Sequence, residues 1–516
     1  MIQSRLYLAA NAAFAACILA GLALHGAVAN PLYLLILFAL CSSPLLNVKQ
    51  VGDEYFLLML FSVGYFFWFG FLDFSHLLTG SENMDLSGRA VNTTEALVIV
   101  GLILIQTSYR LVCRLARPAD EHRAPDWSEQ SLSILGLTLW AVSTWLVWQY
   151  SVNIIADASV ESVRRGLASL SGMQGIMFML AIYFQPFSLM VLAYALFKYK
   201  RPYLIPVVAA TTLVEFVLGF VTDAKGQALS GVMIVLIAKF LVDKKIPRMW
   251  LAAALAFVLV AFPLLQANRA VRHQRESSHA EAAADLGAAF QQALAAKNED
   301  SPAHQRSQTI FERVSLKDIL EVMVTKTGHE VAYRHGDTLV SLLTTFIPRV
   351  LWPDKPGIQV GLLVAKEFFP QESDNVNLSP SHLGEWYWNF GWLGVFLGMP
   401  ITGGVLGLVG SRCNLSRGVT LTRVLTLLVT IQVLIQGFEA SVAIQYSVWL
   451  RMMLGIGILH WLFSRRVVQQ GLSEPGSTPS APVTVAASKA LPGVQPAARS
   501  PLRAPLREPH FPNLMR

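Results

Sequence analysis

The chain has 516 residues, 54% of them hydrophobic and 14% charged, with a formal net charge of +7. That balance lies outside the range of soluble globular domains and excludes an ordinary water-soluble enzyme. The basic excess calls for no nucleic acid, because Lys and Arg are spread over short loops between apolar runs, where they meet anionic headgroups.

In chain order, apolar runs suited to roughly 30 Å of hydrocarbon occupy residues 6–24, 31–46, 55–72, 95–113, 131–150, 175–197, 203–221, 228–242, 250–267, 386–410, 420–437 and 443–463. They imply an all-α polytopic membrane protein with twelve transmembrane helices. Lys and Arg concentrate after the even-numbered runs, as in Arg110, Arg114, Arg117 and Arg123, or Lys244, Lys245 and Arg248. The loop after the third run carries Arg89 alone. This asymmetry puts both termini in the cytoplasm and residues 268–385 outside. The alternation includes the first run, which therefore reads as a span and not as a cleaved signal. Four stretches result: residues 1–267 with helices one to nine, a large, mostly helical extracytoplasmic loop over 268–385, helices ten to twelve over 386–466, and a Pro-, Ala- and Ser-rich disordered cytoplasmic tail over 467–516.

Within the outer loop, good helix formers predict helices over 280–297 and 315–325. Three prolines between 348 and 356 predict an ordered turn. None of the four cysteines, Cys17, Cys41, Cys113 and Cys413, falls in the loop, which excludes a disulfide framework there, and no acidic cluster calls for a divalent ion.

The loop concentrates cations where a membrane cavity would meet water. Arg269 and Arg272, three apart at the end of the ninth run, share a helical face that could grip phosphate, or could equally offset a helix C-terminus. Arg349 and Lys355 flank Trp352 inside the proline-rich turn, and cations held on a fixed backbone bind a diphosphate without reorganising; the alternative is a turn that packs on the membrane surface. Lys225 stands alone in the short outer turn 223–227, as a phosphate contact or an interfacial anchor. His382 and Glu385 are three apart just before the tenth run, so on a helix the imidazole and carboxylate share one face, as a general base and its orienter require, and spacing does not decide which of the two takes the proton. The neighbouring Trp386, Tyr387 and Trp388 read as an interfacial aromatic belt. Inside spans, Glu215 and Arg451 are costly charges whose simplest use is to pair with each other across the bundle; the alternative is that Arg451 faces the same cavity as the outer cations.

The stretch Ile347-Pro348-Arg349-Val350-Leu351-Trp352-Pro353-Asp354-Lys355-Pro356, followed by Ser379-Pro380-Ser381 and then Gly384-Glu385-Trp386-Tyr387-Trp388-Asn389-Phe390-Gly391-Trp392-Leu393-Gly394, resembles the closing half of the Wzy-type oligosaccharide repeat-unit polymerases, which belong with the O-antigen ligases to a GT-C-like class. Asp223-Ala224-Lys225-Gly226 resembles the outer turn where those families carry Ser-Arg-Gly, with Lys in place of Arg, which keeps the charge but loses the bidentate fork. The resemblance implies a membrane glycosyltransferase of the bacterial inner membrane. It would move an undecaprenyl-diphosphate-linked glycan onto a second lipid-linked repeat unit at the outer face, without metal or other cofactor. Membrane lipids and a chain-length regulator would be its partners. An O-antigen ligase delivering the same donor to lipid A core is an alternative. So is a non-enzymatic transporter or flippase of lipid-linked oligosaccharide, although such proteins distribute charge along interrupted helices rather than in one outer segment.

Overall fold

The computed structural model describes residues 2–26, 29–80, 88–116, 127–155, 172–221, 225–245, 248–257, 261, 315–344, 347, 352, 360–370 and 378–472. The chain divides into two units, residues 1–466 and 467–516, and the second is described only over 467–472, as the end of the last helix.

Among the described residues the fold is helical, with one isolated bridge between Thr327 and Val331 and no strand. Each apolar run of the sequence falls wholly or partly on helix, as backbone groups in an apolar medium must pair within their own segment. The helices are α1 (Ile2–His25), α2 (Pro31–Ser42), α3 (Phe56–Phe69), α4 (Phe71–Thr79), α5 (Gly88–Leu115), α6 (Glu129–Ile155), α7 (Gly172–Tyr199), α8 (Ile205–Val221), α9 (Lys225–Asp243) and α10 (Arg248–Phe257). Then come α11 (Lys317–Lys326), α12 (Val340–Thr344), α13 (Val360–Phe368), α14 (Ser381–Arg412), α15 (Leu421–Val429) and α16 (Val442–Leu472). Among the described residues, five stretches can cross a membrane by length and composition: Gln3–His25, Thr93–Leu115, Ser381–Arg417, Leu421–Glu439 and Val442–Trp461. The pair α3 and α4, bent by 50°, makes a sixth if it is one span.

The bend between α3 and α4 falls at Gly70, and it turns Asp73 inward, where the residue is buried. The most extensive helix pairing joins α14 to α5. It depends on Gly403, where a β-carbon would come within 2.2 Å of the Ile105 carbonyl oxygen, so the two backbones meet as small-residue helix interfaces do.

The long element α14 is two helices across a kink at Gly391, whose φ of 61° and ψ of −145° only glycine adopts without strain. Before the kink, the stretch from Ser381 to Asn389 is largely enclosed by protein, with Ser381, His382, Leu383, Gly384 and Glu385 all buried. After it, Leu393, Phe396, Leu397, Ile401 and Leu408 form an exposed apolar stripe. The kink also frees the Trp388 and Asn389 carbonyls, which accept the Arg334 and His335 N–H groups at 3.1 Å each.

A second, smaller core of Met323, Val331, Val360, Val364, Phe368 and Trp388 is built from α11, the loop after it, α13 and the first half of α14. This corrects the aromatic-belt reading for Trp388. Its indole is fully buried, meets the Phe368 ring edge-on at 5.2 Å and lies under the Arg334 guanidinium at 5.0 Å. Residues of α11 and α13 cover it with apolar surface that no local pattern reveals. The helix expected over 315–325 is observed as α11, whereas the expected helix over 280–297 lies outside the described residues and the expected turn over 348–356 is described only at Trp352.

Candidate functional site

The head of α14 carries the two residues that spacing nominated. Ser381 opens the helix at a φ of 57°, and its hydroxyl accepts the Gly384 N–H at 3.1 Å. His382 follows, with its ring centroid 4.8 Å from that of Phe438 and 5.7 Å from that of Tyr446. Neither imidazole nitrogen has a hydrogen-bond partner among the described residues, although the side chain is fully buried. A buried polar group without a partner costs about 1–3 kcal/mol, so its retention calls for a reason.

Glu385 lies one turn further on and faces elsewhere. Its Oε2 accepts the Val442 N–H at 2.7 Å and its Oε1 the Ser441 hydroxyl at 3.3 Å. The carboxylate thus sits at the N-terminus of α16, where unpaired N–H groups and the helix dipole favour negative charge. It fastens α16 to α14 and makes no hydrogen bond to His382, so the expected arrangement of base and orienting carboxylate is not formed between them. The Phe438 ring under His382 is placed by an irregular passage in which α15 runs into a π-helix over Thr430–Ile435 and a 3-10 turn over Gln436–Glu439. Such π segments cluster at functional positions. The Trp449 indole N–H, bonded to the Thr430 hydroxyl at 3.0 Å, steadies that passage.

Sequence reasoning missed a second cluster. The Lys317 ammonium is buried, bonded to Asp73 and, at 3.3 Å, to Glu95. It also lies 4.6 Å from the centre of the Tyr33 ring. Asn30 donates to the other oxygen of Glu95 at 2.7 Å, and the Leu316 N–H to the Trp68 carbonyl at 2.8 Å. These contacts lock α11 to α4 and α5. The signal was present in the sequence: Leu316, Leu320, Met323 and Val324 mark one apolar helix face, and Lys317 and Glu321 fall inside it. Asp73 and Glu95 stand at neighbouring ends of consecutive apolar runs.

Burial lowers the Lys317 pKa, but the Asp73 and Glu95 carboxylates outweigh it and hold the group above its ordinary value. Glu321 is the excess charge. Burial pushes its carboxyl up to about 7 against the pull of Lys317, with Asp318, Asp73 and Glu95 adding to the rise. A carboxyl with a raised folded pKa binds its proton more tightly in the folded chain, so stability is greatest at the acid end and falls as pH rises from 4.5 to about 7. The loss is at most roughly 3 kcal/mol. Melting temperatures of detergent-solubilised protein should therefore decline over that range more steeply for wild type than for Glu321→Gln, and the variant should be the more stable at pH 8. Parallel curves would show that Glu321 does not set the pH dependence.

Of the other nominated residues, Arg269, Arg272, Arg349 and Lys355 lie outside the described residues, and Lys225 is described only as the first backbone position of α9. Glu215 is buried in α8 and Arg451 half-buried in α16.

Comparison with curated proteins and with solved structures finds no match. A family described as "Domain of unknown function (DUF8712)" matches residues 151–470, a stretch that holds His382, Glu385, Lys317 and Arg334 but neither Asp73 nor Glu95. Because that match covers more than half of the chain, the protein belongs to the DUF8712 family.

Proposed function

We propose that the protein is a polysaccharide polymerase of the bacterial inner membrane, with twelve spans, cytoplasmic termini and the 268–385 segment outside. An acceptor sugar hydroxyl attacks the anomeric carbon of a glycan carried on undecaprenyl diphosphate. The bond from that carbon to the phosphate oxygen breaks, the hydroxyl proton passes to the His382 imidazole, and undecaprenyl diphosphate departs. Cations of the outer segment, Arg349 and Lys355 with Arg269, Arg272 and Lys225, stabilise the charge that grows on the leaving diphosphate.

The observation that carries this reading is the enclosed His382 imidazole with both nitrogens free of partners among the described residues, because a base must keep a lone pair for its substrate. It sits just before the point where α14 begins to present apolar side chains outward. From Leu393 to Leu408 that stripe rises roughly 22 Å, most of the thickness of a hydrocarbon core. On this placement the imidazole lies at the membrane boundary, where the sugar of a lipid-linked donor is found. Glu385, held by α16, positions the helix that carries the base.

A deletion strain tests the class of reaction. Loss of long surface polymer with a single repeat unit retained is the expected phenotype. Loss of all surface glycan with lipid-linked polymer accumulating would identify a ligase, and accumulation of unpolymerised lipid-linked unit on the cytoplasmic face a flippase.

A further inference from the structure

We propose that the loop over residues 332–337 is a carbohydrate subsite that holds the acceptor glycan outside the membrane, an inference that rests on the polymerase reading and names where its second substrate sits. A cavity of about 360 Å³ opens here, lined by Ala332, Tyr333, Arg334, His335, Asp337 and Glu367. Its lining includes the Tyr333 ring. Tyr333 is 37% exposed, and its inner side rests against two glycines. A β-carbon at Gly328 would come within 3.0 Å of the Tyr333 hydroxyl oxygen, and one at Gly391 within 3.3 Å of its ring. The ring is therefore seated from below and open above.

Around it stand planar polar groups on a backbone that is tied down. The Arg334 and His335 N–H groups bond to the carbonyls of Trp388 and Asn389, and the Gly336 N–H bonds to Asn389 Oδ1 at 2.8 Å. Asn389 Nδ2 donates in turn to the Thr338 hydroxyl at 2.7 Å. His335 is held at a φ of 50°, a left-handed conformation that a non-glycine residue keeps only where its surroundings impose it. Its ring centroid lies 6.4 Å from that of Tyr333. The Arg334 guanidinium is fixed between Glu367 and the Trp388 face.

This combination selects a ligand class. A pyranose presents an apolar C–H face that lies on an aromatic ring, and vicinal hydroxyls that match the paired atoms of carboxylate, imidazole and guanidinium. A phosphate would face the Asp337 and Glu367 carboxylates, with the one guanidinium already neutralised. A lipid tail would find too little apolar wall. The loop hangs from Trp388 and Asn389, about 9 Å along the helix axis from His382, so a glycan bound here extends its terminal hydroxyl toward the imidazole.

The test uses full-length protein in nanodiscs and, as probe, the water-soluble oligosaccharide released by mild acid from the strain's own lipid-linked repeat units. Binding is read by saturation-transfer NMR and fold by melting temperature. Wild type and Tyr333→Phe should bind alike. Tyr333→Ala should weaken binding by about tenfold at an unchanged melting temperature, and Asp337→Asn should weaken it too. Inorganic diphosphate should not displace the probe. Equal binding by wild type and Tyr333→Ala, no binding by wild type, or displacement by diphosphate would each overturn the subsite. Because binding is read without turnover, the polymerase reading can fail in the deletion strain while the Tyr333 dependence stands, and the reverse result is equally distinct.

Discussion

Lys317→Met is expected to destabilise the protein by about 3–5 kcal/mol, the usual cost of removing one partner from a buried ion pair. Wild type pairs one ammonium with two buried carboxylates, and Asn30 satisfies the remaining Glu95 oxygen. Without the lysine, Asp73 and Glu95 are left as like charges in an apolar wall, and α11 loses its fastening to α4 and α5. Since α11 also supplies Met323 to the core around Trp388, the loosening should spread to α13 and the rest of that core. The measurement is thermal unfolding of the purified protein together with limited proteolysis between 315 and 344. The triple variant Lys317→Met, Asp73→Asn, Glu95→Gln should recover most of the loss, because no uncompensated charge then remains. A single variant that melts with wild type would show that the cluster carries no net stabilising charge.

The partners of Lys317 explain why its pairing, unlike its place on an apolar helix face, was not legible in the sequence. Asp73 is 244 residues away and Glu95 222, and neither lies on a common periodic face with the lysine. The helices were legible because runs of apolar side chains have a local signature, and α11 was legible from its composition. The bend at Gly70, which turns Asp73 inward, is a choice made by packing. Trp388 failed for the same reason: an aromatic at the start of an apolar run looks interfacial until residues such as Val364 and Phe368 are seen to cover it. At the site, the spacing of His382 and Glu385 pointed to one shared helical face, and both do lie before the Gly391 kink. It could not show that the carboxylate would be drawn to the N-terminus of α16, whose Val442 lies 57 residues further along the chain. Arg334 and Tyr333 drew no attention because their meaning depends on carbonyls freed by the Gly391 kink.

That geometry separates two substitutions that spacing alone would treat alike. If His382 takes the acceptor proton, His382→Ala should lower turnover by roughly two to four orders of magnitude, the usual contribution of a general base. The fold should be nearly undisturbed, since the ring forms no hydrogen bond within the described protein and its loss leaves a space bounded by Phe438 and Tyr446. Glu385→Gln should behave differently. Its amide oxygen can still accept the Val442 N–H, but the negative charge at the head of α16 is gone, which costs about 1–2 kcal/mol. Turnover should then fall several-fold through misplacement of the helix, and melting temperature should fall with it. Purified variants assayed on synthetic lipid-linked repeat units, with product length read on a gel, decide between the two roles. A His382→Ala protein that polymerises at the wild-type rate would remove the imidazole from the mechanism. A Glu385→Gln protein that is inactive at full stability would return the carboxylate to the chemistry.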